Sequence, residues 1–370
     1  MAVLGLGIEF LILFVSFGFM VGVFFGFFGM GGAFLVTPAL LILGYPAPVA
    51  IGSSMAFVFG TAVIATLKHH DVGQVDYKLG ALMFVGIALG IEGGKLAVLF
   101  LDQLGQAELV VGSVYVLLLA GIGLLFIRSA RTEAATEGAD GTDNEDGTGD
   151  ERGSDGEDGS ESKEGNDDEA TDDEDDIPEI AKKIKSYNIP PMVTLTDGSR
   201  ASMWTISGVG GGVGLVSGFL GVGGGFLRMP AIYYLIGIPL SAAVGTSLFG
   251  ALMSGAVGAF TYGLDGVVDL GVVTALLAGS ALGARIGSGL TVWVDEADVT
   301  IYFGIMLLLA SAAVGFGELA TWLDMPILDS VSFVLLVGSA AFVTAVILYF
   351  GAKAIRAKPT ASAATPTGND

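Results

Sequence analysis

The chain is 370 residues long, 52% hydrophobic and only 15% charged, with 58 glycines, yet its formal net charge is -22. Residues 133–179 hold 22 of the 38 acidic residues and two bases, Arg152 and Lys163; this stretch therefore carries -20 and everything else -2. The nearly neutral, oily remainder excludes a soluble enzyme. The lack of a basic stripe excludes a nucleic-acid binder, and the lack of cysteine excludes disulfides, thiolate catalysis and Cys-bearing metal sites.

Apolar runs near the ~20 residues that cross a hydrocarbon core lie at 6–29, 33–44, 47–67, 77–100 and 107–127. They recur at 203–222, 226–237, 240–262, 269–292, 299–320 and 331–351. Two of them, 33–44 and 226–237, are too short to span comfortably and each follows a glycine cluster, which predicts half-helices of a broken or re-entrant element. The N-terminus has no positive n-region, so its first run reads as a retained helix. Between the two series, the acidic stretch contains no aromatic residue and almost nothing apolar, and is expected to be a disordered loop. Ile180 to Lys185 (IAKKIK) reads as a short basic amphipathic turn.

The chain is also internally repeated. Residues 22–40 (GVFFGFFGMGGAFLVTPAL) match residues 214–232 (GLVSGFLGVGGGFLRMPAI) at ten of nineteen positions. With one inserted residue, Gly44, Pro46, Ala50, Gly52 and Ser54 then meet Gly237, Pro239, Ala243, Gly245 and Ser247. Lys and Arg in short loops tend to stay cytoplasmic. Arg128, Arg131, Lys182, Lys183, Lys185 and Arg200 flank the linker, and Lys353, Arg356 and Lys358 follow the last run, so linker and C-terminus are expected inside and the N-terminus outside. The loop with Lys68 and Lys78 then threads inside, whereas its counterpart, 263–268, threads outside. The expected fold is an all-α membrane protein of two inverted-topology helical repeats, with broken or re-entrant half-helices at the Gly-rich motifs. Residues 1–130 form the first repeat, 131–202 the acidic cytoplasmic linker with its basic amphipathic segment, 203–352 the second repeat plus an extra helix, and 353–370 a cytoplasmic tail. Inverted repeats with discontinuous helices are a recurring plan of secondary transporters that work by alternating access. An anion channel or passive pore could use the same groups and remains the alternative.

The doubled motif, FFGFFGMGGAFLVTPAL and GFLGVGGGFLRMPAI, each followed by Gly-[Ser/Thr]-Ser, resembles the sulfite exporter TauE/SafE family across both membrane halves. The resemblance implies a multi-pass plasma-membrane protein that exports sulfite, organosulfonates or related small anions. Two departures stand out: the acidic linker is unusually long, and Ala33 replaces the third consecutive glycine found at Gly225.

Substrate-binding candidates come from the motifs. Backbone N–H groups near Gly29, Gly31 and Gly32, and near Gly221, Gly223 and Gly224, suit an anion cradle at the starts of half-helices; close helix packing is the competing reading. The stripes Gly86-x3-Gly90-x3-Gly94 and Gly279-x3-Gly283-x3-Gly287 read as packing ridges instead. Ser53 and Ser54, with Thr246 and Ser247, could complete an oxyanion shell or bond the carbonyl one turn back. Arg228, where the first repeat has Val36, offers a guanidinium fork to an oxyanion or pairs structurally with a carboxylate or carbonyl. Glu92 and Arg285 hold equivalent positions, which suggests an inter-repeat gate, with Glu92 a proton-coupling candidate; Lys95, three residues on, could satisfy Glu92 locally. Asp76 and Asp269 read as helix N-caps, and His69, His70 and Asp71 as a solvated loop. No cofactor or metal is expected. The expected partners are a small anion and the lipid bilayer, with a homo-oligomer left open.

Overall fold

The computed structural model describes residues 2–3, 6–28, 32–70, 77–140, 190–194, 200–232, 235, 240–291, 293–294 and 296–357. These residues are almost entirely helical. The first half contains α1 (Ile8–Phe28), a 3₁₀ turn (Gly32–Leu35), α2 (Val36–Ile42), α3 (Ala47–His70), α4 (Tyr77–Gln103) and α5 (Ala107–Asp140). The second contains α6 (Met203–Leu220), α7 (Gly225–Ala231), α8 (Leu240–Leu264), α9 (Leu270–Leu290), α10 (Glu296–Leu323) and α11 (Pro326–Ala357). Two antiparallel ribbons, Ala2–Val3 with Leu6–Gly7 and Met192–Thr194 with Arg200–Ser202, precede the first helix of each half. Among the described residues, α1, α4, α5, α6, α9, α10 and α11 contain stretches long and apolar enough to cross a membrane, and α3 and α8 carry shorter apolar stretches. The chain is a multi-pass membrane protein.

The expected short helices are present: α2 and α7 are each seven residues long. Asp269 caps α9 as expected, its Oδ1 accepting from the N–H groups of Gly271 at 2.9 Å and Val272 at 3.1 Å. One boundary is corrected. α5 continues to Asp140 and takes in the start of the acidic stretch expected to be a loop from 131. Glu133, Ala134, Ala135 and Glu137 are good helix formers, and they extend a helix already nucleated by its apolar span. Residues 141–189, with most of the acidic stretch and the IAKKIK segment, lie outside the described residues, as do 358–370 and the loop at 71–76 with Asp71 and Asp76. At its other end, α11 runs five residues past 352, to Ala357.

Packing crosses between the halves. A Cβ at Gly18, Gly22 or Gly26 of α1 would strike the backbone of Leu276, Ser280 or Ala284 of α9, and one at Gly279, Gly283 or Gly287 would strike Val15, Phe19 or Val23. The numbers rise together, so α1 and α9 run parallel, with glycines from both helices removing the bulk between them. The same relation holds for α4 and α6: Gly86 faces Ser207, Gly90 faces Gly211, Gly94 faces Leu215, and Gly210, Gly214 and Gly218 face Met83, Ile87 and Ile91. The glycine stripes are therefore packing ridges, where small residues let backbones approach closely. By contrast, α3 and α8 run antiparallel, with Gly52 against Tyr262, Met55 against Gly258 and Phe59 against Gly255. So do α5 and α10, where Gly112 meets Glu318 and Gly123 meets Gly304.

Candidate functional site

The site is built on the interruption between α6 and α7. Helix α6 stops because Gly221, Gly223 and Gly224 adopt positive φ values of 76°, 68° and 69°, a region that other L-residues avoid. The N–H of Gly221 closes the helix end on Ser217 O at 2.7 Å, and the helical path resumes at Gly225. Space also requires glycine here. A Cβ at Gly221 would lie 2.7 Å from Thr37 Oγ1, and one at Gly223 2.5 Å from Val58 Cγ1.

A break inside a span frees carbonyls that must find donors within the protein. Tyr262 OH donates to Gly218 O at 2.7 Å, Tyr115 OH to Leu220 O at 2.5 Å and Ser54 Oγ to Gly221 O at 2.9 Å. Beyond the turn, Ser247 Oγ donates to Gly225 O at 2.9 Å. Two of these donors, Ser54 and Tyr115, come from the first half of the chain, so the break in the second half is held from both sides.

Arg228 lies in α7 with none of its surface exposed. Its Nη1 donates to Ser247 O at 3.0 Å, and its Nη2 to Ser254 Oγ and, at 3.5 Å, to Gly223 O. Gly250 gives the guanidinium its room, because a Cβ there would lie 2.7 Å from both Cδ and Nε. The Nε–H itself has no acceptor. Among the described residues, no carboxylate pairs with this group. A full positive charge thus sits in the interior with neutral neighbours only.

The remaining sequence candidates divide. Ser54 and Ser247 reach the break, whereas Ser53 turns away and its Oγ accepts from Asp269 N at 2.9 Å, anchoring the start of α9. Thr246 is buried beside Ser247. Gly32 opens the 3₁₀ turn, and Gly29 and Gly31 lie outside the described residues. Glu92 and Arg285 are not brought together. Lys95 Nζ holds Glu92 Oε1 at 3.0 Å on its own helix and Asp265 Oδ2 at 3.0 Å in the turn between α8 and α9. The reason is the crossed packing: α4 lies on α6 and α9 on α1, so equivalent positions on α4 and α9 face different neighbours. The link between the halves is Lys95–Asp265, a pair that position matching could not reveal. Sequence reasoning also passed over Thr37, Tyr115, Ser217, Tyr262 and Ser254. Their common signal is a hydroxyl within an apolar run. Glu318, inside α10, lines a separate cavity of about 620 Å³ together with Tyr45, Glu108 and Asp329.

Residues 14–314 match the family model described as sulfite exporter TauE/SafE. The chain belongs to this family. A probable membrane transporter protein of Xylella fastidiosa (strain 9a5c) is 25% identical over 293 residues, covering 76% of this chain and 85% of the relative. The probable membrane transporter protein YunE of Bacillus subtilis is 23% identical over 307 residues, covering 80% and 94%. A third, MJ0441 of Methanocaldococcus jannaschii, is 32% identical over 111 residues, covering 27% and 42%. No solved structure matches the chain significantly. As a TauE/SafE protein the chain is a membrane transporter rather than an enzyme.

Proposed function

We propose that this TauE/SafE protein is a plasma-membrane secondary transporter that exports a small sulfur oxyanion, such as sulfite or an organosulfonate, by alternating access. Its binding site is the break between α6 and α7. The observation that carries this reading is the buried guanidinium of Arg228 without a carboxylate partner. An uncompensated charge in a membrane interior is costly, and a small anion supplies the missing counter-charge while accepting the free Nε–H. Charge-assisted hydrogen bonds of this kind are short and strong. Gly221, Gly223 and Gly224 let Thr37, Val58 and Val213 approach the turn beside the arginine, Ser54 and Ser247 hydrogen-bond to it, and Thr246 is the remaining proposed hydroxyl. Gly29, Gly31 and Gly32 are the matching positions of the first copy of the motif.

Alternating access is supported by the helix directions. Matched helices α3 and α8, and α5 and α10, cross antiparallel, while α1 with α9 and α4 with α6 are exchanged between the halves and parallel. A two-fold axis in the membrane plane, relating inverted repeats, demands this combination. In that frame the N-terminus lies outside and the linker and C-terminus inside. The proposed gate couples Glu92 through Lys95 to Asp265, with Arg285 at the corresponding place on the opposite face. Reconstituted protein tests the reading: Arg228→Ala abolishes sulfite flux without preventing insertion, and Arg228→Lys retains part of it. Saturable flux with counterflow exchange marks a carrier, and unsaturated conductance marks a pore. Wild-type flux in Arg228→Ala overturns the site.

A further inference from the structure

Among the described residues, two buried side-chain polar atoms have no hydrogen-bond partner: Arg228 Nε and Thr37 Oγ1. They are not scattered. Arg228 belongs to α7 and Thr37 to α2, the two seven-residue helices that follow the repeated glycine motif, and in the aligned motifs Arg228 falls on Val36 and Thr37 on Met229. Both side chains flank the same glycine turn. A Cβ at Gly221 would lie 2.7 Å from Thr37 Oγ1, and one at Gly224 would lie 3.1 Å from Arg228 Nη2. Thr37, like Arg228, has none of its surface exposed. The phenol of Tyr115 lies beside Thr37 and gives its proton to Leu220 O, which leaves the phenol oxygen as the competing acceptor for the threonine hydroxyl.

An unmade hydrogen bond on a buried hydroxyl costs about 1–3 kcal/mol, and native interiors keep few of them. Two, at neighbouring positions of two related short helices, point to a ligand that is absent. We infer that Thr37 is a substrate-binding residue: its hydroxyl donates to the transported anion whose charge is met by Arg228. This rests on the anion-transport reading above and deepens it, because it makes the anion a link between the two halves of the chain. The arginine comes from the second half and the hydroxyl from the first. A hydroxyl donates to a halide as well as to an oxyanion, so the contact at Thr37 adds affinity for a small anion seated there.

Initial-rate uptake into proteoliposomes, with sulfite and chloride as the probes, tests the inference in wild type, Thr37→Val, Thr37→Ser and Arg228→Ala. Thr37→Val keeps the shape and removes the hydroxyl. It should raise the half-saturation concentration for sulfite about ten-fold or more, the scale of one hydrogen bond to a charged group. Maximal flux should stay within about two-fold, the thermal midpoint in detergent should be unchanged or higher, and chloride should become a weaker inhibitor of uptake. Thr37→Ser should behave as wild type. If Thr37→Val saturates like wild type while Arg228→Ala loses flux, the hydroxyl serves only a bound water and this inference falls, leaving the transport reading intact. A lowered thermal midpoint in Thr37→Val means that the hydroxyl has a protein partner, and also overturns it. Absence of sulfite uptake by the wild-type protein removes both readings.

Discussion

The two copies of the glycine motif are each followed by a seven-residue helix, but their chemistry differs. Around the first, aromatic rings close the space: Phe303 of α10 lies 4.4 Å from Phe28, 5.7 Å from Phe34 and 5.3 Å from Phe126, measured between ring centroids. Around the second, hydroxyls and a guanidinium do so. Position by position, Phe25 corresponds to Ser217 and Val36 to Arg228. The repeated motif thus carries polar groups in its second copy where the first has apolar ones. The guanidinium lies in one repeat, and the other contributes single hydroxyls, from Ser54, Tyr115 and Thr37, across the interface.

The largest expected effect that would break this contrast is at the second break itself. Gly224→Val places a β-branched residue at a φ of 69°, against Val213 and Arg228. The backbone term alone costs about 1–2 kcal/mol, the overlap adds to it, and size-exclusion chromatography should show no monodisperse protein. Next come the donors supplied by the first repeat. Tyr115→Phe and Ser54→Ala each strand a buried carbonyl, at a cost of about 1–3 kcal/mol, and should lower the unfolding midpoint in detergent. Removing Thr61, the counterpart of Ser254, should do less, because its hydroxyl only bonds back to Phe57 O and Val58 O on its own helix.

A smaller effect separates the two partners of Lys95. Asp265→Asn cuts the tie between the halves, whereas Glu92→Gln removes a contact within one helix. Both carboxylates are more than a third exposed, so the effect is modest. Hydrogen exchange in the 265–269 turn should rise about five-fold in Asp265→Asn, equivalent to roughly 1 kcal/mol, and stay at the wild-type rate in Glu92→Gln. The smallest effect is expected for Gly225→Ala. The first copy already carries Ala33 there, and alanine is about 1 kcal/mol better than glycine within a helix, so flux should remain within about two-fold.

Much of this frame was legible before any coordinates. Length and apolarity locate the spans, the short runs after Gly32 and Gly224 announce α2 and α7, and the spacing of Gly86, Gly90 and Gly94 announces a ridge. Arg228 was visible as a charge within an apolar run. What pattern could not show is which distant group answers which. Tyr115 and Leu220 are joined across 105 residues, and Tyr115 belongs to no motif. Glu92 and Arg285 match in the alignment, yet symmetry sets them against different helices, and the cross-half partner of Lys95 is Asp265, in a turn that carries no motif. The extension of α5 to Asp140 was hidden because composition reports the fate of a segment alone, not as the continuation of a helix already formed.

The exchange of helices between the halves also constrains how the protein is made. Helix α4 leaves the ribosome with a groove of glycine backbone that only α6 can fill, and α6 is synthesised after the acidic stretch has passed; α1 waits longer still, for α9. During synthesis the first half is an incomplete set of helices, with ridges open to lipid. Chains cut within residues 141–189 and produced as two pieces in one cell should therefore reassemble into active protein, while either piece alone should be degraded.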